Sequence, residues 1–127
     1  RDFSVDWLDI PPAKRNGARP EQLKAREAAA IDKQLKADDR LIIWDVTGKL
    51  VSTEELAAQF QSWKMDRRGA AMVIGGPDGV DESLLQRADH RWSLGRITLP
   101  HPLVRVIVAE QLYRAWSINA QHPYHRA

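Results

Sequence analysis

The chain has 127 residues, which is enough for one compact domain with a single hydrophobic core and too short for two ordinary domains. Its 43% apolar and 28% charged residues are typical of a globular protein, and no stretch has the pattern of a membrane span or a signal peptide. The absence of cysteine excludes disulfides, thiol catalysis and cysteine-ligated zinc, and it is consistent with a cytoplasmic protein. The net charge of +2 permits a nucleic-acid partner without requiring one.

The first half of the chain alternates between strand and helix patterns. Residues 3–10 have the pattern of a strand that ends at a pair of prolines, and a polar loop leads to Pro20, which suits the first turn of a helix. The continuous apolar run at residues 40–45 is typical of a strand buried on both faces, and we expect residues 47–49 to turn the chain. Because a strand-like run opens the chain without a methionine, we expect the natural protein to begin earlier, so that its first element is absent here.

The second half continues the alternation. Ser52 and Glu55 have the spacing of a capping box, which predicts a helix that we expect to end at Gly69. The elements predicted after it are a short buried strand at residues 70–74, a short helix at 82–88, a mixed strand and loop segment at 92–99, and a long helix at 101–119. This order predicts one α/β domain over residues 1–127 with a mostly parallel sheet.

Two glycine-bearing segments follow the predicted buried strands. One is IGGPDGV, which places Gly75 and Gly76 directly after its strand, and the other is DVTGK at residues 45–49. Neither matches the dinucleotide-binding fingerprint or the P-loop, and each alone is also typical of an ordinary turn. Because ligands bind at the carboxyl ends of parallel strands, the two segments together could hold a flat ligand such as adenine through backbone groups.

The long C-terminal helix is apolar around most of its circumference. Such a helix needs cover on more than one side, either from the rest of its own chain or from a second copy in a homodimer. His101 stands near its N-cap, where free N–H groups favour anionic ligands. Glu110 and Arg114 have the i,i+4 spacing of a surface ion pair; under a partner chain, the same guanidinium would be held for phosphate or carboxylate recognition.

The tail HPYHRA gathers two imidazoles, a phenol and a guanidinium. Terminal residues are commonly frayed, but these groups can also stack on bases and bind phosphate. As metal ligands, His122 and His125 lack a third partner at an obvious spacing. We therefore expect no metal site.

Four segments taken together resemble the RlmH family, the 23S rRNA pseudouridine-N3 methyltransferases of the SPOUT class. They are, in chain order, WDVTGK, IGGPDGV, WSLGRITLPHPLVRVIVAEQLYRAWSI and HPYHR. The resemblance implies a SPOUT-type α/β knot, with a C-terminal trefoil knot and a mostly parallel sheet that has helices on both faces. It also implies that an N-terminal strand and helix, which would complete the sheet, are missing from this chain. It also implies a homodimer, S-adenosyl-L-methionine as the cofactor, and 23S rRNA within the assembled ribosome as the substrate.

The same resemblance implies roles for individual residues. The implied catalytic residues are Arg114, His125, His101 and Tyr124. The implied RNA contacts are Arg126, Tyr124 and Arg114. The implied cofactor-binding residues are Trp44, Gly75, Gly76, Leu94, Gly95, Arg96, Ile97, Thr98 and Leu99. The tail is expected to serve the cofactor pocket of the partner protomer.

In the implied reaction, the N3 of pseudouridine loses its proton and attacks the sulfonium methyl group. Arg114 would stabilise the deprotonated base, and His125 or His101 would accept the proton. The sequence departs from the family pattern at Trp44, Val80 and Gly95, which puts side-chain roles at these positions in doubt. Two other functions stay open: a non-catalytic RNA- or ribosome-binding dimer of the same fold, and a different α/β nucleotide-binding enzyme that uses the IGGPDGV loop.

Overall fold

Seven helices and strands alternate along the part of the chain that the structure describes. The computed structural model describes residues 19–36, 38–64, 68–75 and 80–126. Its elements are α1 (Pro20–Asp32), β1 (Arg40–Leu50), α2 (Thr53–Trp63), β2 (Ala70–Ile74), α3 (Glu82–Arg87), β3 (His90–Ser93) and α4 (His101–Asn119). The predicted strand at residues 3–10 lies outside the described residues.

The helices begin where the sequence predicts them, because their start signals are local. α1 begins at Pro20, and α2 follows the predicted capping box. In that box the Ser52 hydroxyl accepts from the Glu55 N–H, and the Glu55 carboxylate accepts from the Ser52 N–H. α3 ends one residue before the predicted residue 88, and α4 has the predicted bounds.

The strands form a parallel sheet in the order β2-β1-β3. Alternate residues of β1 face opposite sides: Ile42 and Trp44 pack with α2 and α4, whereas Leu41 and Ile43 face the side of α1 and α3. None of these four side chains is more than 4% exposed. Burying an aliphatic side chain of this size stabilises the fold by about 1.5–3 kcal/mol. The expected α/β architecture, with helices on both faces of a parallel sheet, is confirmed.

The predicted turn at residues 47–49 is wrong. β1 continues to Leu50, because Lys49 and Leu50 pair again with β3. Trp44 and Lys49 share Trp92 as their partner, so residues 45–48 leave the ladder and the strand then rejoins it. Backbone pairing with a distant strand has outweighed the local preference of a glycine-bearing segment for a turn.

Two predictions around β2 also need correction. α2 ends at Trp63, not at Gly69, whose carbonyl instead accepts a hydrogen bond from the Arg40 N–H beside the sheet. β2 was expected to be buried, but only Val73 of its five residues is buried. The reason is its place at one edge of the three-stranded sheet, where one side of the strand has no neighbour among the described strands.

α4 packs one side against α2 and the sheet. Val108, Leu112 and Ala115 supply this contact, and none of them is more than 8% exposed. The opposite side shows large apolar residues to solvent: Leu103 is 44% exposed, Val106 63% and Tyr113 44%. Within the described residues, the helix is therefore covered by its own chain on only one side.

Candidate active site

The segment between the two paired parts of β1 lies tightly against β3. A Cβ atom added to Gly48 would lie 2.7 Å from the carbonyl carbon of Arg91 and 2.9 Å from the backbone nitrogen of Trp92. Real Cβ atoms do not approach backbone this closely, so only glycine fits here. The close approach places residues 45–48 directly beside the end of β3.

Two arginines hold the same segment through polar contacts. The Nη2 of Arg91 donates to Asp45 Oδ2 and to Thr47 Oγ1, each at 3.0 Å. The Nη1 of Arg96 donates to the carbonyls of Val46 and Gly48. Arg96, predicted to bind cofactor, thus ties the loop after β3 to the loop inside β1.

The Asp45 carboxylate is stabilised in its ionised form by these contacts. Partial burial raises the pKa of Asp45, but hydrogen bonds from Thr47 and Arg91 outweigh burial and lower the pKa below its ordinary value. The Thr47 hydroxyl donates to the same Oδ2 at 2.5 Å. Asp45 therefore carries a negative charge at neutral pH and anchors the loop.

The loop after β3 begins with a second tight arrangement. Ser93, which is 1% exposed, accepts from the Gly95 N–H at 3.1 Å and donates to the Gly95 carbonyl at 2.8 Å. Gly95 has φ +149°, a conformation that residues with a Cβ rarely adopt. Ile97 and Thr98 are exposed, and Leu99 is half-buried.

The predicted residues around β2 and Trp44 lie at or near the same sheet edge. Gly75 follows β2 directly and is half-buried, whereas Gly76 lies outside the described residues. The Nε2 of His101, in the first turn of α4, lies 3.4 Å from the Ile74 carbonyl oxygen. The Trp44 side chain is buried in the core, where its Nε1 donates to the Met72 sulfur at 3.4 Å, so only its backbone faces the edge. We call residues 45–48, Gly75 and residues 94–99 the strand-end loops.

A second group of predicted residues meets at the middle of α4. The Nε of Arg114 donates to Glu110 Oε2 at 3.0 Å, and the Tyr124 hydroxyl donates to the same oxygen at 2.8 Å. The guanidinium carbon of Arg114 also lies 4.9 Å from the centre of the Tyr124 ring. His125 places its Nδ1 3.2 Å from Arg114 Nη1. We call Glu110, Arg114, Tyr124 and His125 the tail cluster. Arg126 beside it is exposed.

Glu110 sets the protonation of its neighbours. The hydrogen bond to Glu110 raises the pKa of Arg114, and the same kind of bond, with burial, raises the pKa of Tyr124 above its ordinary value of 10.0. In return, the bond from Arg114, followed by that from Tyr124, lowers the pKa of Glu110 against the effect of burial. The tail cluster at neutral pH therefore holds one carboxylate, one guanidinium and one protonated phenol.

The two groups are separated along α4. His101 begins the helix and Arg114 stands thirteen positions later, which is about 20 Å of helix at roughly 1.5 Å per residue. The sequence did not predict that the side chains of Asp45, Arg91 and Ser93 hold the strand-end loops in place through hydrogen bonds. It also missed Glu54 beside His125, because nothing in the local sequence links residues 71 positions apart.

Two properties of the described residues bear on other functions. Among them, no group of three histidine, aspartate or glutamate side chains is placed to hold a metal ion. In the same part of the chain, none of the helices combines the length and the apolar character needed to cross a membrane.

The amino-acid sequence matches a family model and several known proteins. The family model described as Predicted SPOUT methyltransferase matches residues 1–125. The Ribosomal RNA large subunit methyltransferase H of Chromohalobacter salexigens is 49% identical, over 99% of this chain and 82% of its own length. The protein of the same name from Dichelobacter nodosus is 48% identical over 99% of this chain and 81% of its own length. That from Hahella chejuensis is 44% identical with the same coverage.

Proposed function

We propose that this chain, which belongs to the RlmH family of SPOUT methyltransferases, transfers a methyl group from S-adenosyl-L-methionine to the N3 of a pseudouridine in 23S rRNA. The match to relatives over nearly the whole chain confirms the resemblance carried by the four segments. Those relatives are named for methylation of large-subunit ribosomal RNA, which supports an rRNA methyltransferase activity. The observation that carries the proposal is the meeting of the strand-end loops at one edge of a parallel sheet.

The strand-end loops fit a cofactor with a flat ring and a polar chain. Val46 is 41% exposed, Leu94 37% and Ile97 77%, so apolar side chains are available to cover an adenine ring. Backbone N–H and C=O groups of the same loops can bind the ring edge and the ribose. S-adenosyl-L-methionine supplies, when bound, a methyl group on a sulfonium centre. Gly75, Gly95 and the backbone of Trp44 are proposed to bind through main-chain atoms, and residues 96–99 through both kinds of contact.

The tail cluster supplies groups suited to the RNA base. An imide nitrogen attacks well only after losing its proton, and a fixed cation stabilises the anion that results. Arg114 is such a cation, because Glu110 holds it in place and raises its pKa. Tyr124, whose pKa is raised, stays protonated and can donate a hydrogen bond or stack on a base. A histidine, His101 or His125, would accept the proton, and Arg126 would contact phosphate.

A homodimer would bring the two groups together. The strand-end loops and His101 stand at one end of α4, and Arg114 stands about 20 Å away along the same helix. The exposed apolar side of α4, at Leu103, Val106 and Tyr113, is a suitable surface for a second copy. In such a dimer the tail cluster of one protomer would face the strand-end loops of its partner.

The proposed substrate is 23S rRNA within the assembled ribosome, and the proposed location is the cytoplasm. A net charge of +2 gives little non-specific attraction to RNA. Discrimination must then come from shape, and an assembled ribosome presents a fixed surface, whereas naked rRNA does not.

A methyl-transfer assay with isotopically labelled cofactor tests the function. The wild type should methylate assembled ribosomes faster than naked 23S rRNA, and nuclease digestion should yield N3-methylpseudouridine. Arg114→Ala should lower turnover by about 10²–10³-fold with cofactor affinity unchanged, because only the developing anion needs the cation. Arg87→Ala, which removes an arginine on α3, is the matched control.

Three results would redirect the proposal. Binding of ribosomes without methyl transfer would indicate the non-catalytic RNA-binding dimer. Calorimetric binding of ATP, without binding of S-adenosylmethionine and S-adenosylhomocysteine, would indicate a different nucleotide enzyme. A different methylated nucleoside would retain the enzyme class and reject the pseudouridine N3 as the target.

A further inference from the structure

A chain of side-chain hydrogen bonds joins the start of α2 to the tail cluster. The Thr53 hydroxyl donates to Gln111 Oε1 at 2.6 Å, and the Gln111 Nε2 donates to Glu110 Oε1 at 3.0 Å. Glu110 in turn accepts from Arg114 through its other oxygen. Each donor in this series meets an acceptor, so the orientation of Arg114 is linked to the position of the α2 N-terminus.

His125 joins the two ends of this series, which makes it a closed hydrogen-bond network. Its Nδ1 lies 3.2 Å from Arg114 Nη1, and its Nε2 lies 3.1 Å from Oε2 of Glu54, the residue next to Thr53. A guanidinium can only donate and a carboxylate can only accept. One neutral tautomer of His125 satisfies both contacts, with the Nδ1 accepting from Arg114 and the Nε2 donating to Glu54.

This arrangement leaves neither nitrogen of His125 available to take a proton from a substrate. The lone pair on Nδ1 faces Arg114, and the Nε2 already carries a hydrogen. A second proton, on Nδ1, would point at the guanidinium and break the closed hydrogen-bond network. The groups that face the imidazole are Glu54 on α2, with Arg114 and the neighbouring Glu110 on α4.

We propose that Glu54 is a positioning residue, which holds the neutral His125 as a bridge and thereby fixes Arg114 and Tyr124 for the methyl-transfer site. The inference rests on the proposed function and narrows it, because it assigns His125 to orientation and leaves His101 as the histidine that can accept a proton. Carboxylates that orient a histidine through its N–H are a general device in catalytic sites.

The exposure of the pair favours orientation over stability as its role. The Glu54 side chain is 61% exposed and that of His125 is 16% exposed. Solvent weakens the attraction because the Glu54 carboxylate is largely exposed, so the contact adds little to the stability of the fold. A hydrogen bond of defined direction nevertheless limits the rotation of the imidazole, and it thereby restricts the movement of the tail that carries His125.

A double-mutant cycle tests whether Glu54 acts through His125. Glu54→Ala and His125→Ala should each lower kcat on ribosomes by about tenfold. The kcat of the double variant should fall no further, because both changes interrupt the same closed hydrogen-bond network. The KM for S-adenosylmethionine should stay within about twofold, since the strand-end loops are untouched. Glu21→Ala removes an exposed acidic residue from the first turn of α1 and controls for the loss of a helix-dipole contact.

Nitrogen NMR of labelled imidazole supplies a measurement that needs no methyl transfer. In the wild type at neutral pH, His125 should show a protonated Nε2 and an unprotonated Nδ1, and hydrogen exchange at residues 122–126 should quicken in Glu54→Ala. A proton on Nδ1, a doubly protonated ring, or multiplicative losses of about a hundredfold in the double variant would overturn the inference. If the wild type fails to methylate ribosomes, the proposed function fails, whereas the NMR result still decides the role of Glu54.

Discussion

At the strand-end loops most contacts involve the polypeptide backbone, with one side-chain group at Asp45, whereas in the tail cluster side chains make nearly all contacts. Gly48 lies so close to β3 that no Cβ fits, and Arg96 donates to main-chain carbonyls. In the tail cluster, Glu110 gathers a guanidinium and a phenol on one carboxylate oxygen. The first region is therefore fixed largely by the path of the chain, with the ionised Asp45 as its one charged anchor, and the second by ionisation and rotamer choice.

The difference matches two tasks that a methyltransferase has to perform. A cofactor that is the same in every turnover can be bound by backbone, which is rigid and insensitive to pH. A large RNA substrate has to enter and leave, and side chains on an exposed helix can rearrange at small cost. Three measurements test this difference between the two regions.

Gly48→Ala should have the largest effect. The new methyl group would meet only backbone atoms of Arg91 and Trp92, which cannot move without disturbing the β1–β3 pairing. We expect the free energy of unfolding in urea to fall by about 3 kcal/mol and cofactor binding to be lost. Gly69→Ala is the matched control, since its Cβ would meet the Asp39 carboxylate, a side chain that can rotate away. Equal stability of the two variants would contradict the close packing at Gly48.

Arg96→Ala should have an intermediate effect that falls on binding and not on folding. The change removes the hydrogen bonds from Arg96 to the carbonyls of Val46 and Gly48, so the two loops lose their direct link. We expect the Kd for S-adenosylmethionine to rise about tenfold while the Tm changes by only a few degrees. Arg87→Ala removes an exposed ion pair between α3 and Asp32 of α1, so it should leave the Kd unchanged and shift the Tm by no more than a few degrees. An unaltered Kd would show that the loops hold their positions without Arg96.

The ionisation of Tyr124 should give the smallest effect and report on the tail cluster. The chain has two tyrosines, so ultraviolet absorbance can follow both, and Tyr124→Phe assigns the signal. The hydrogen bond to Glu110 raises the pKa of Tyr124 above 10.0, so docking of the tail is complete below that pH and is lost as the pH rises through the raised value. Glu110→Gln should return the titration towards 10.0, whereas Glu21→Gln should not. Identical titrations in all three proteins would exclude the Tyr124–Glu110 contact in solution.

Sequence patterns predicted the helices well because each start signal is local. The capping box at Ser52 and the proline at Pro20 act within one helical turn, and the structure confirms both. The path of β1 after Asp45 could not be predicted in this way. This path depends on the pairing of Lys49 with a strand more than forty positions later in the sequence. That pairing overrides the preference of Gly48 for a turn.

The candidate site was predictable only in part, for a similar reason. Resemblance to the RlmH family indicated Arg114, Tyr124 and His125, and the structure brings these three together. It gave no sign of Glu54, whose contact with His125 spans two helices and the tail. Arg96 was expected to bind cofactor, and its observed contacts are with the neighbouring loop, so a direct role towards cofactor stays a prediction.

The shared partner of Trp44 and Lys49 limits how the chain can change in length. Residues 45–48 look like a surface loop, where insertions and deletions are normally tolerated. Here the chain must return to pair Lys49 with Trp92 and Leu50 with Ser93. One residue more or fewer would turn Lys49 and Leu50, the last two residues of β1, to the opposite faces of the sheet. The exposed positions of this segment can therefore vary in residue type, but the number of residues in it is fixed by the pairing on either side.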